Sequence, residues 1–299
     1  MTAMATDDPV GLRARRSRDR GPASIIFLIA LWFSLAIGIL VLLTLLVSTA
    51  IDGSARLDAN LVTQYDDQLF AEKTGLRAGI LGTMWLMATT AMLAVPLGIA
   101  AGLYLEEFAD SNRWYNRIIE LNLQNLAAVP SVIYGMLAVA LMALVGQRET
   151  ALVIGGALAL ALLILPVIII TSREAVRAVP REIREASLAL GATPWQTSWR
   201  QVLPSAVPGI ATGTILGLSR AIGEAAPLLL LGVAVSIRFD PNGLMSQFTA
   251  LPIQIYQLTS RPQDDYKIAA AAGIIVLLAL VLLLNGLAIY IRNHFERRW

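Results

Sequence analysis

The chain has 299 residues, 57% of them hydrophobic and only 15% charged, with a formal net charge of +2 at pH 7. A soluble domain of this length covers its surface with far more charge, and so small a net charge gives nucleic acid no handle. There is no Cys and a single His, His294, which excludes thiol chemistry, disulfides, a histidine-based triad and a His-rich metal site.

Residues 1–24 form a basic tail with Arg13, Arg15, Arg16, Arg18 and Arg20. The apolar run 25–50 is longer than the roughly 7–15 residues of a signal-peptide core, so it reads as a retained first transmembrane helix. A polar segment, 51–76, follows with Asp52, Asp58, Asp66, Asp67 and Glu72. Further apolar runs occupy 77–105, 118–145, 151–171, 209–236 and 267–291. Each is long enough, at about 1.5 Å per residue, to cross a hydrocarbon core of about 30 Å as a helix. Helix is the natural choice because a lone strand leaves backbone groups unpaired in lipid. The expected fold is therefore an all-α integral membrane protein with six transmembrane helices, a five-helix core over 77–291 and a short tail, 292–299.

Arg and Lys set the orientation. With the N-terminus inside, the inner segments hold the tail arginines, Arg113, Arg117, Arg173, Arg177, Arg181, Arg184, Arg200, Arg292, Arg297 and Arg298. The outer segments are poorer in them, which places both termini in the cytoplasm and makes 51–76 extracytoplasmic. Glu106, Glu107 and Asp110 then form a solvated cluster opposite Arg113 and Arg117. Prolines 96, 130, 166 and 227 interrupt four spans. Simple kinks and true helix breaks both fit them, and Ala128–Gly135 is the most marked interruption.

The longest inner loop, 172–208, reads as two short helices separated by Gly191-Ala192-Thr193-Pro194. Thr193 can cap the second, and Pro194 suits a helix start. Trp195 and Trp199 are four residues apart and share one face. Such an aromatic ridge fits a groove on a partner, or packing against the chain's own membrane helices.

One cation, Arg220, lies inside a span, four residues before Glu224. A charge at that depth costs a few kcal/mol and needs a partner or a wet path. On a continuous helix Gly209, Gly213, Gly217, Arg220 and Glu224 fall within an arc of about 80°. The glycines form a small-residue ridge that lets another helix approach closely, so that face meets protein or a pathway. A buried ion pair that fixes helix register and a site for a passing anion both fit. Gly98 and Gly102 form a second small-residue pair, expected to serve packing.

Glu185-Ala186-Ser187, Gly191 and Leu203-Pro204 resemble, in identity and spacing, the EAA loop of ABC importer permeases. Ser187 stands where that pattern has a second Ala, and Gln201 where it has Ile. The stretches Tyr104–Ala109, Val129–Gly135, Ser219–Leu229 and Leu251–Tyr256 resemble the phosphate permeases of the PstA type over most of the chain from about Gly75, with Ala225 in place of an expected Thr. The Arg-Ala-x-Gly-Glu core is shared with sulfate and molybdate permeases, which are the alternative.

The resemblance implies a MetI-like permease core that forms half of a phosphate path across the lipid bilayer of a bacterial cell membrane. It implies a paralogous permease of the PstC type, a pair of ATPase subunits of the PstB type and an extracytoplasmic phosphate-binding protein of the PstS type. Arg220 and Glu224 become the expected substrate-path residues, with Arg173 a further candidate at the inner exit. Glu185, Ala186, Gly191, Trp195, Leu203 and Pro204 become the expected ATPase-coupling residues. No catalytic residue, metal or cofactor is expected on the chain. Its two lysines, Lys73 and Lys267, do not follow a phosphate-binding glycine loop, so ATP is hydrolysed elsewhere. A channel would lack the docking loop, and an intramembrane enzyme would need a nucleophile–base pair.

Overall fold

A computed structural model describes residues 22–110, 113–233 and 236–295. Most of the basic tail, with its five arginines, and Arg297 and Arg298 lie outside the described residues. Among those described, the only β-type pairing is an isolated bridge between Leu152 and Gln247.

Helix α1 (Pro22–Ser54) is apolar on every side, and its side chains are exposed up to Val47. A helix of that kind belongs in lipid. It starts three residues earlier and ends four later than the apolar run suggests. The rest of the chain forms its own compact unit. The segment after α1 carries a short helix, α2 (Ala59–Thr63), capped by the Asp58 carboxylate on the Leu61 N–H.

The core is built around three long helices: α3 (Arg77–Leu103), α6 (Val153–Arg177) and α9 (Leu203–Ile222). Between the first two lie α4 (Trp114–Leu126) and α5 (Ser131–Leu144). Helix α6 is central, packed against α3, α5 and α9, with Leu160, Ile164 and Ile168 fully buried. Small residues bring α3 and α6 together. Gly98 faces Ile168, and a β-carbon at Gly102 would sit 2.7 Å from the Ser172 β-carbon.

The prolines resolve into two kinds. Pro96 and Pro166 lie inside continuous helices. At Pro130 the chain turns by 116° between α4 and α5. Among the described residues, five helices are long and apolar enough to cross a membrane, and the bent α4–α5 pair makes a sixth span if it counts as one.

The fifth span departs from its expected limits, 209–236. The helical path runs from Pro194 to Ile222, then stops at Gly223. A short helix, α7 (Arg181–Ala189), precedes that path, and α8 (Pro194–Thr197) opens it. After the stop comes α10 (Ala226–Leu230), with Pro227 in its first turn.

The stretch between the fifth and last expected spans also contains structure. Helix α11 (Leu251–Ser260) is seated on α3 and on the final helix, α12 (Asp264–Phe295). Leu251, Ile253, Gln254 and Ile255 are buried. Thr83 Oγ1 accepts from the Leu251 N–H at 2.9 Å, and the Gln254 amide donates to the Gly75 carbonyl at 3.0 Å. These bonds satisfy polar groups at a buried helix end, which would otherwise cost stability. At the same end, Arg77 donates to Asp240 through Nε and Nη2, the latter at 2.6 Å. That hydrogen bond, with a second from the Tyr65 hydroxyl, holds the Asp240 carboxyl below the usual range.

Candidate functional site

The two interrupted helices meet. The Tyr134 hydroxyl on α5 reaches back across the bend and donates to the Leu126 carbonyl at 2.6 Å, satisfying an acceptor that the end of α4 frees. One residue on, Gly135 lies against the start of α10: a β-carbon there would sit 2.8 Å from the Pro227 α-carbon. Backbone cannot rotate away as a side chain can. Gly135→Val is therefore expected to push α5 off α10 and lower the apparent melting temperature of the purified protein by several degrees, the scale of overpacking by about 1–3 kcal/mol. An unchanged melting temperature would show that the two breaks do not support each other.

Arg220 occupies the last turn of α9, and Glu224 lies beyond the helix, in the break. The expectation of a single helical face carrying both is therefore corrected: Gly223 ends the helix first. The pair still meets, with Arg220 Nε 3.6 Å from Glu224 Oε1. The Arg220 side chain is 44% exposed and that of Glu224 23%. In a chain this apolar, a half-exposed guanidinium at a helix break faces a wet or protein-lined space, since lipid would not tolerate it.

The glycine ridge of α9 turns toward α6. Gly213 is occupied from across by the Thr171 side chain, Gly217 faces Ile164 and Ile168, and Gly209 lies opposite Ala175. Ser219, next to Arg220, donates to Asn285 Oδ1 on α12 at 2.6 Å. Asn285 escaped the sequence reading. Its signal was there: it is the only polar side chain between Lys267 and Tyr290.

The 172–208 segment folds as two helices. Helix α7 has no buried residue, and Glu185 and Ala186 are exposed. Gly191 follows it with φ +84°, the left-handed position that ends a helix and suits glycine. Thr193 and Gln196 form a reciprocal capping box at the start of α8. Trp195 and Trp199 stack edge to face at 5.5 Å and are 59% and 47% exposed. The departure at Ser187 is used: its hydroxyl lies 2.9 Å from Thr197 Oγ1, tying α7 to α8. Leu203 and Pro204 sit where the α8 path becomes α9, so this part of the loop is one rod with the membrane helix.

The carboxylates at the end of α3 are not a solvated cluster opposite Arg113 and Arg117. Helix α3 continues through a π-turn over Tyr104–Phe108. Glu106 accepts two hydrogen bonds from Arg177, at 2.8 and 2.9 Å, and lies 3.4 Å from Arg173. Arg173 also pairs with Glu120 at 3.1 Å. Glu107 accepts from Arg184 Nε at 3.0 Å and Nη2 at 2.7 Å. Only Asp110 keeps the expected local pairing, with Arg113 at 3.6 Å. Arg177 and Arg184 lie 71 and 77 positions from Glu106 and Glu107 along the chain, a distance at which sequence pattern carries no pairing information.

Comparison with known proteins decides the family. Residues 94–299 match the family model described as the inner membrane component of binding-protein-dependent transport systems. The chain belongs to that family. It is 36% identical over 227 residues to the phosphate transport system permease protein PstA 1 of Mycobacterium tuberculosis, covering 75% of this chain and 72% of the relative. It is 32% identical over 267 residues to PstA of Haemophilus influenzae, covering 89% and 92%. The resemblance to PstA-type permeases thus holds along most of its length. The fold is similar to that of a bacterial alginate ABC transporter, with a TM-score of 0.62 at 18% identity over 89% of this chain and 95% of that one. It is also similar to the methionine ABC transporter MetNI, with a TM-score of 0.58 at 20% identity over 74% and 97%. The protein is a multi-pass membrane permease with a MetI-like core, a transport component and not an enzyme.

Proposed function

We propose that the chain is one of the two permease subunits of an ATP-driven phosphate importer in a bacterial cell membrane, working with a PstC-type permease, a PstB-type ATPase pair and a PstS-type phosphate-binding protein. The observation that carries the reading is the half-exposed Arg220 guanidinium at the end of a membrane helix, 3.6 Å from Glu224. A guanidinium fork makes paired, charge-assisted hydrogen bonds to phosphate oxygens. Glu224 holds Arg220 between passages and accepts a hydrogen bond from a protonated phosphate oxygen, which sulfate lacks at neutral pH. Arg173, already paired to two carboxylates, sits at the inner exit as a weaker candidate. A passing site of one Arg per subunit releases its anion readily and leaves tight capture to the binding protein. Both termini face the cytoplasm, by the distribution of Arg and Lys.

The exposed α7–α8 segment seats in the ATPase through Glu185, Ala186, Gly191 and the Trp195–Trp199 ridge, with Leu203 and Pro204 joining it to α9. Rigid-body rocking of the two permease halves then opens the path alternately to each side.

The test is uptake of labelled phosphate into proteoliposomes that hold the assembled transporter, with binding protein outside and ATP inside. Uptake of phosphate and not of sulfate or molybdate is expected. Uptake of sulfate or molybdate instead would leave the permease architecture intact and overturn its substrate. For Glu224→Gln, an unchanged preference for phosphate over sulfate would remove the role given to that carboxylate.

A further inference from the structure

The motif Tyr104–Ala109 has no assigned role in the proposed function, yet its two carboxylates reach arginines on two other helices. Its two carboxylates divide the work. Glu106 holds α6 through Arg173 and Arg177. Glu107 holds the exposed segment: Arg184 on α7 grips one of its oxygens twice, and the Ser198 hydroxyl approaches the other at 3.4 Å. Arg184 is itself spread over two elements. It also donates to the carbonyls of Val176 and Val179, at 2.8 and 2.6 Å, where α6 ends. A cation there satisfies acceptors that the helix end leaves free. The side chains of Glu107 and Arg184 are only 12% and 20% exposed.

Two further observations converge on the same spot. Glu107 lies in the π-turn at the end of α3, and Ser198 opens a second π-turn, Ser198–Val202, between α8 and α9. Such turns are rare and concentrate where a helix is bent or used. Beside them the Phe108 ring packs against Trp195 at 5.8 Å.

We infer that Glu107 is a positioning residue, the joint through which α7 and α8 are fastened to α3 and to the end of α6. The inference rests on the coupling role proposed above for the 172–208 segment. When the ATPases shift α7, Arg184 carries the shift to α3 through Glu107 and to α6 through the two carbonyls. A pair of well-formed charged hydrogen bonds suits this, because removing either partner strands the other in a poorly hydrated place. A static brace would fail differently: without it the loop would lose its shape and the ATPase would no longer bind.

The experiment uses the complete transporter in proteoliposomes, with Glu107→Gln, Arg184→Gln and the double variant. Two quantities are read: affinity for the ATPase subunit, and phosphate ions moved per ATP hydrolysed. Each single variant is expected to bind the ATPase normally and to move between about 2- and 30-fold fewer ions per ATP. The double variant is expected to be no worse than the poorer single, because one joint is broken only once. Should Glu107→Gln prevent the permease itself from folding into the membrane, Arg184→Lys keeps the charge, loses the fork and carries the same test. An unchanged ratio in the single variants, or losses that multiply in the double, would overturn the joint. So would loss of ATPase binding in the single variants. The coupling role itself fails separately, if α7 and α8 prove not to touch the ATPase in the unaltered complex.

Discussion

Arg220→Ala transporters should assemble, bind the ATPase and fail to take up phosphate. Each charged hydrogen bond from the guanidinium contributes about 1.5–3 kcal/mol, so uptake should fall by between about 10- and 100-fold. Arg220→Lys keeps the positive charge and loses the planar fork, and should be intermediate. The comparison of the two variants matters because Arg220 also pairs with Glu224 at 3.6 Å. If the pair only fixed the geometry of the break, Arg220→Ala would lower melting temperature and leave transport per folded complex intact. Normal uptake by Arg220→Ala would make the residue structural and place the path elsewhere. Initial rates of labelled-phosphate uptake, normalised to assembled complex, decide between these outcomes.

The second large effect is expected at the other end of the same rod. Trp195 and Trp199 present an edge-to-face pair at 5.5 Å, about half uncovered, on a stretch fixed by a capping box. Aromatic anchors that fill a partner's groove often account for 2 kcal/mol or more of binding, about 30-fold in affinity. The double variant Trp195→Ala/Trp199→Ala should therefore lose co-purification with the ATPase while the membrane part stays folded. Titration of the ATPase subunit onto the purified permease pair measures this directly. Unchanged affinity would show that the ridge does not face the ATPase. Glu107→Gln should behave differently: the tryptophan variant should abolish the grip, whereas Glu107→Gln should keep it and waste the stroke.

Much of this architecture was legible in the chain. Apolar length alone marks the membrane helices, because few other structures survive in lipid. The α8 start was legible because a Thr cap followed by Pro is a local signal, and the Pro130 break because the chain before proline avoids helix. The end of α9 was not. Gly223 and Pro227 sit in an apolar run that continues to Ser236, and hydropathy does not distinguish one long helix from a break followed by a short helix whose Pro227 lies against Gly135. Helix α11 was hidden for a related reason: ten residues are too few to read as a span, and only the tertiary contacts of Leu251 and Gln254 show it to be core. Of the site, Arg220 announced itself by charge in an apolar setting. The partners of Glu106 and Glu107 did not, since the pairing exists only once α3, α6 and α7 are packed.

The unbroken helical path from Pro194 to Ile222 has a mechanical consequence. Of the three ridge glycines, Gly213 leaves the least room against α6, its β-carbon position being taken by Thr171, so a tilting rod would pivot there. At about 1.5 Å per residue the arm from Gly213 to Trp195 is about 27 Å, and the arm to Arg220 about 10 Å. A lever of those proportions reverses direction and reduces travel by between two- and threefold. A displacement of about 5 Å at the tryptophans would then arrive at Arg220 as about 2 Å the other way, enough to part a guanidinium from a phosphate oxygen. If the tryptophan ridge docks as proposed, such a crank would turn a large motion at the ridge into a small one at Arg220.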